Sequence, residues 1–207
     1  IDPIKFNLDP YPDLKAMRRN QPISFVPELG ATLMTLRDDI FINEKLINVF
    51  SSDQPDGLMT RLMGTNMMRK DGEAHKKERK ATFKSFSPRT VQDVWKQSFV
   101  KATSNILDSL RDKNTADLVT EFAMPVSAEA LKVVTGLENM NSTEMDRVSQ
   151  GMIDGVANYS GNIEIENNCQ NCTASIDYHI DDMLPKLKNN PDNSLISVQL
   201  EAGLSID

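Results

Sequence analysis

The stretch from Asp71 to Arg89 does most to constrain this chain. Asp71-Gly-Glu-Ala-His75-Lys-Lys-Glu-Arg79-Lys-Ala-Thr-Phe83-Lys-Ser-Phe86-Ser-Pro-Arg89 reads as one helix with a polar, basic face. His75 and Arg79 are four apart, so both project from one side, one turn above the other. Two nitrogen donors held this way form a clamp for an anion such as a carboxylate. The pattern assigns Ala74, Ala81, Phe83 and Phe86 to the buried side. Asp71 is the expected N-cap, and Ser87-Pro88 opens the next helix with Pro in its first turn. The plainer reading of the same face is a solvated basic surface.

Elsewhere the periodicity is helical. Val91, Val94/Trp95, Phe99, Ala102, Ile106 and Leu110 recur at three and four residues, which predicts an amphipathic helix from Pro88 to Arg111. A helix is expected from Glu121 to Thr135, with Pro125 near its first turn and Gly136 as its stop. Another runs from Thr143 to Tyr159, with Met145, Val148, Met152 and Val156 on one face and Thr143-x-x-Asp146 as a loose capping box. Ile165, Cys169, Cys172, Ile176, Ile180 and Met183 line one side of a long helix ended by Pro185 and Pro191. Ser194 to Ala202 is a last short helix before Gly203. Ile23–Val26 and Thr32–Leu36 alternate around Pro27-Glu28-Leu29-Gly30, as a hairpin should. Asp39 to Val49 is expected to be helical with Ile40, Ile47 and Phe50 inward, and Ala116 to Val119 to be a short strand. Residues 53 to 70 read as a long connection rich in Leu and Met, a type of loop that often carries function.

Asp71-x-x-x-His75-x-x-x-Arg79 followed by Phe86-Ser87-Pro88-Arg89 resembles the C helix of the cytochrome P450 family, the haem-thiolate monooxygenases. Asp9-Pro10-Tyr11-Pro12, with Leu14, Met17, Arg18 and Pro22-Ile23, resembles that family's opening helix and the entry to its small sheet. Arg37-Asp38-Asp39-Ile40 is similar to the family's step from second strand to next helix. The resemblance covers almost the whole chain and corresponds to the family's amino-terminal half. It implies a mainly α fold of about eight helices plus a small antiparallel hairpin, with residues 1–207 forming the amino-terminal part of a single domain. It also implies that His75 and Arg79 bind a haem propionate. The substrate pocket would be lined by Leu58, Met59, Leu62, Met63, Met67 and Met68 before the clamp helix, and by Met152, Val156 and Tyr159 from the helix roofing the site. Core packing is the alternative for the methionines.

The family's central oxygen-activating helix and its Phe-x-x-Gly-x-x-x-Cys-x-Gly haem loop are not in this sequence. Cys169 and Cys172 lie in unrelated surroundings, so no metal ligand is assigned. A zinc site needs four ligands, and His75 and His179 are the only histidines. Buried packing is the reading given to both cysteines. Glu144-Met-Asp-Arg147 matches the family's Glu-x-x-Arg in letters only. The chain stops about where the central helix should begin, so it reads as half of an enzyme, unlikely to turn over alone.

Charge bounds the partners. Net charge is −7, which argues against general nucleic-acid binding. Between Arg69 and Arg89, eight Lys or Arg against three acids give +5, leaving −12 for the rest. A basic patch on an acidic protein suggests an acidic partner. By the resemblance, this is a ferredoxin or similar electron donor docking on Lys76, Lys77, Lys80 and Lys84. No run approaches the ~20 apolar residues of a membrane span, and the first residues contain no secretory h-region. Two cysteines suggest no disulfide framework, so a cytoplasmic location is expected. The expected activity is oxidation of a small hydrophobic substrate, a terpenoid or aromatic, by a haem monooxygenase using O2. The alternatives are a non-catalytic truncated haem-protein relative and a small helical interaction protein.

Overall fold

The computed structural model describes residues 1–204. Its contacts divide the chain into two compact units, residues 1–52 and the residues from Asp53 on.

In the first unit, α1 (Pro3–Leu8) starts where the Asp2 carboxylate accepts the Ile4 and Lys5 amides, with Pro3 in the first turn. Helix α2 (Tyr11–Asn20) carries Asp13 in its first turn and Arg18 and Arg19 in its last, each sign complementing the helix dipole. Strands β1 (Ile23–Val26) and β2 (Ala31–Met34) pair antiparallel in the register Ile23↔Met34 to Val26↔Ala31. Gly30, at φ 60°, turns the chain between them with no Cβ to object. The expected helix from Asp39 to Val49 is shorter, α3 (Arg37–Asn43). The Asn43 side chain bonds back to the Asp39 carbonyl at 2.8 Å, competing with the backbone at that end. Ile40, Ile47 and Phe50, expected inward, are exposed.

The second unit is helical throughout its regular structure: α4 (Leu58–Met63), α5 (Gly72–Phe86), α6 (Pro88–Thr90), α7 (Lys96–Leu110), α8 (Met124–Thr135), α9 (Ser142–Val156), α10 (Ile163–Asn189) and α11 (Leu195–Glu201). The long connection from 53 to 70 is thus interrupted by α4 and by a 3-10 turn at Met67–Arg69. Between α6 and α7 a π-turn, Val91–Trp95, widens the helix by one residue; of the predicted stripe Trp95 is buried, Val94, Phe99, Ala102, Ile106 and Leu110 are half-buried, and Val91 is exposed. A second π-turn, Leu118–Ala123, stands where a strand was expected to end. The Asp117 carboxylate takes the Val119 and Thr120 amides at 2.8 Å and commits the chain to a helical turn.

The core joins Ala128 of α8, Leu137 and Met140 of the following turn, Met145 of α9, Met183 and Leu187 of α10, and Ile196 of α11. Gly136 ends α8 at φ 91°, the left-handed stop its sequence promised. Helices α9 and α10 form an antiparallel hairpin. Its turn is pinned by Asn158, which donates to the Asn162 carbonyl at 2.9 Å and accepts from the Asn162 amide and the Ser160 hydroxyl. Asn141, not Thr143, caps α9 by accepting the Glu144 amide. Pro185 does not end α10, which continues to Asn189 around it. Cys169 and Cys172 are free, fully buried thiols on the predicted stripe. Burial raises the Cys169 pKa.

Candidate functional site

Helix α5 buries a face other than the one its apolar residues suggest. Ala74 is exposed and Ala81 half-buried. Phe83 and Phe86 are 58% and 53% exposed. Thr82 and Ser85 are buried instead. Small side chains there let neighbours approach closely. The buried Trp95 indole donates to the Ser85 carbonyl at 2.8 Å, and the Ser85 hydroxyl donates to the Asn193 carbonyl at 2.8 Å. These bonds tie α5 to the π-turn before α7 and to the turn before α11, fixing how the helix is rotated about its axis.

That rotation leaves a distinct outer stripe. At 100° per residue, His75, Phe86, Arg79 and Phe83 fall within an arc of about 80°. His75 is half-buried and Arg79 exposed. Neither side chain makes a hydrogen bond or ion pair among the described residues. Two nitrogen donors therefore stand without protein partners beside two bare aromatic rings. Such a stripe fits a flat, largely apolar ligand with a carboxylate at its rim, and so fits a haem. One guanidinium that the sequence showed only as charge, Arg69, lies in the turn entering α5 with a buried Nε lacking any partner. Nothing in the sequence distinguishes it from the other bases.

Outside that stripe, the basic residues in and around α5 are not equivalent. Lys76 pairs with Glu73 at 2.8 Å and Lys84 with Glu201 of α11 at 2.9 Å. Lys70 pairs with Glu78, and Arg89 with Asp93. Lys77 and Lys80 have no ion pair among the described residues.

The structure brings together the two sources of the expected pocket lining, since α4 packs on α9 and α10. Leu62, at 5% exposed, is seated against Gly155. The Thr173 hydroxyl, 3.1 Å from the Leu62 carbonyl, holds α4 in place. Leu58, Met59, Met63, Met67, Met152 and Val156 are half-buried. Met68 and Tyr159 are 62% and 86% exposed. Glu144 and Arg147, which resemble a motif only in letters, form an ordinary staple. Arg147 grips the Glu144 carboxylate with Nε at 2.7 Å and Nη2 at 2.6 Å, and reaches the Cys172 sulfur at 3.3 Å. No cluster of His, Cys, Asp or Glu among the described residues could hold a metal ion, and no described helix is long and apolar enough to cross a membrane.

Comparison with known proteins points one way. A putative cytochrome P450, YjiB of Bacillus subtilis, is 23% identical over 198 residues, covering 93% of this chain and 48% of that protein. The polyketide biosynthesis cytochrome P450 PksS, also of Bacillus subtilis, is 25% identical over 180 residues, covering 79% of this chain and 44% of its own. Among solved structures, CYP109E1 of Bacillus megaterium in complex with testosterone has a TM-score of 0.77 at 18% identity, covering 94% of this chain and 51% of that one. P450BioI in complex with an acyl carrier protein bearing hexadec-9Z-enoic acid has a TM-score of 0.75 at 15% identity, covering 95% and 53%. No family model matches the chain. The chain spans about half the length of the relatives it matches.

Proposed function

We propose, from a chain that corresponds in sequence and fold to the amino-terminal half of a cytochrome P450, that it supplies the propionate clamp, part of the pocket wall and the electron-donor face of a haem monooxygenase. The observation that carries this reading is the α5 stripe, with His75 and Arg79 unpartnered beside exposed Phe83 and Phe86. His75 and Arg79 hold the haem propionate, and the two rings exclude water beside it. The haem, when bound, supplies the oxygen chemistry. This chain's residues orient the cofactor and substrate. Both units of the chain, residues 1–52 and those from Asp53 on, are parts of one domain.

The substrate is small and hydrophobic, a terpenoid or aromatic. Leu58, Met59, Met63, Met67, Met68, Met152, Val156 and Tyr159 offer apolar area and almost no charge, so binding follows buried area. The testosterone and hexadecenoic ligands of two similar proteins support an apolar pocket. The electron donor is an acidic, ferredoxin-type protein that meets the lysine face of α5, in a reducing cytoplasm that keeps Cys169 and Cys172 as thiols.

The test is reconstitution. The chain is co-expressed with the carboxy-terminal half of the Bacillus relative YjiB, which carries the region beyond the match. A thiolate-type carbon monoxide difference band, present only with both halves and weakened by Arg79→Ala, is the expected result. Folded halves that associate without retaining haem would overturn the proposal.

A further inference from the structure

We infer that Arg69 receives the carboxylate of an apolar acid whose hydrocarbon body lies on the neighbouring methionines, so that the pocket takes a terpenoid or aromatic acid in preference to a neutral molecule. The inference rests on the pocket reading above and narrows its ligand. Among the described residues three Lys or Arg side chains are half-buried: Arg69, Lys70 and Lys132. Lys70 holds Glu78, and Lys132 holds Glu129 at 2.9 Å. Arg69 pairs with no acid among the described residues, and its Nε is buried with no hydrogen-bond partner. A guanidinium stays charged at any pH a protein survives. Drawing it out of water without a counter-charge costs free energy, which folded proteins normally offset with a paired anion. The two comparable lysines follow this rule. The exception points to an anion that arrives from outside the described residues.

The place of Arg69 in the chain selects the anion's chemistry. Arg69 ends the turn Met67–Arg69. Asn66 fixes that turn by accepting the Met68 amide on its side chain at 3.0 Å and the Arg69 amide on its carbonyl at 2.9 Å. Met67 and Met68 share the turn, and Met59 and Met63 come from α4 just before it. Methionine presents a flexible, polarisable, uncharged surface that fits hydrocarbon of varied shape. An apolar wall ending in one planar cation has the profile of a site for an acid with an apolar body. Buried area supplies affinity, and the guanidinium fork fixes the charged end. A free phosphate or sulfate would gain nothing from the methionines. The haem propionate is the other carboxylate in the reading above. It already has His75 and Arg79 as donors on the stripe of α5, whereas Arg69 lies in the turn before that helix. An acidic side chain of an associated protein would need no apolar wall.

The probe is 1-naphthylacetate, with its methyl ester as the neutral match, titrated into the chain and into the haem-loaded complex of the reconstitution above. Naphthalene fluorescence reads binding, so no turnover is needed. The acid should bind more tightly than the ester. Arg69→Gln should weaken the acid about tenfold or more and the ester by less than about twofold, because a charge-assisted pair to a carboxylate is lost. Arg69→Lys keeps the charge but not the fork and should recover part of the loss. Lys101→Gln removes the same charge from an exposed site on α7 and should leave acid binding within error. Arg69→Gln should also unfold in urea no earlier than the parent, since it breaks no pair within the fold. Equal weakening of acid and ester, or earlier unfolding of Arg69→Gln, would overturn the inference and assign Arg69 to packing. Haem lost from Arg69→Gln with the preference for acid intact would overturn it in favour of the propionate. Weaker association with the carboxy-terminal half alone would overturn it in favour of an acidic side chain there. An ester that binds as well as the acid in every variant would overturn it and leave the apolar pocket standing. If neither probe moves the haem spectrum of the loaded complex, the pocket reading falls and the inference with it.

Discussion

Gly155 lies so close to Cys169 that a Cβ added to it would stand 2.4 Å from the Cys169 sulfur and 2.6 Å from its Cβ. One turn earlier, a Cβ on Gly151 would stand 2.5 Å from the Cys172 sulfur and 2.8 Å from the Asn168 amide nitrogen. The backbone of α9 thus rests directly on α10 through two glycine–cysteine pairs. Gly155→Ala is expected to cost about 1–3 kcal/mol, the usual range for overpacking. Cys169→Ala should not restore it, because the Cys169 Cβ is itself in the way. Gly151→Ala meets only a sulfur and the flexible end of Asn168, so Cys172→Ala should recover most of its loss. Urea unfolding of both double-mutant cycles measures this, and equal rescue at the two sites would refute the close approach at Gly155.

This contact shows what the sequence could convey. The cysteine stripe at 169 and 172 was legible from spacing, and its buried reading holds. Its partner surface was not, because a glycine has no side chain to register in a hydrophobic pattern. The same limit operated on α5. Phe83 and Phe86 carry an apolar signal that says they seek cover, but not from what. The buried Thr82 hydroxyl donates within α5 to the Arg79 carbonyl, whereas Ser85 is inside because the Trp95 indole donates to its carbonyl and its own hydroxyl donates to the Asn193 carbonyl. Such partners come from residues far along the chain, which local periodicity cannot see. The hairpin at Ile23–Met34 and the stop at Gly136 were legible because each depends on neighbours only.

Glu144 gives the α9–α10 hairpin a defined acid limit. The Arg147 guanidinium first, and the Ser175 hydroxyl second, lower its pKa from the ordinary 4.5 to about 2. A carboxyl depressed in the folded state contributes stability that is complete above its unfolded pKa and is lost as pH falls through the folded one. The contribution should therefore disappear between about pH 4.5 and pH 2. Arg147 is partly exposed, so solvent screening discounts the pair to about 1 kcal/mol. Glu144→Gln should remove that part of the pH dependence and leave the neutral-pH fold intact. Parallel stability curves for the two proteins through this window would contradict the assignment.

Arg79 should matter to haem retention and Lys76 should not. Arg79 is unpartnered on the stripe with His75, whereas Lys76 lies outside that stripe and is already satisfied by Glu73. A charge-assisted bond to a carboxylate is worth about 1.5–3 kcal/mol, which corresponds to a roughly ten- to hundredfold weaker affinity in Arg79→Ala. Hemin titration of the chain, read by quenching of its single tryptophan, Trp95, gives the comparison. Equal quenching curves for Arg79→Ala and Lys76→Ala would remove the clamp from the site.

The pocket wall and the core can be separated by two neighbouring residues of like chemistry. Leu62 and Met68 both come from the segment before α5, yet Leu62 is 5% exposed and Met68 62%. Leu62 fills space against Gly155 and its carbonyl accepts the Thr173 hydroxyl, so Leu62→Ala should cost about 2–5 kcal/mol through the cavity it leaves. Met68 touches little that the fold depends on, and Met68→Ala should stay within about 0.5 kcal/mol of the parent. If Met68 lines the substrate site of the reconstituted enzyme, its loss instead shifts which apolar ligands move the haem spectrum. Met152→Ala in α9 should do the same from the opposite wall, at some cost in stability because that side chain is half-buried. Haem content is the control that separates a changed pocket from a damaged fold. A ligand panel unchanged by both methionine substitutions, with haem content preserved, would place the substrate elsewhere.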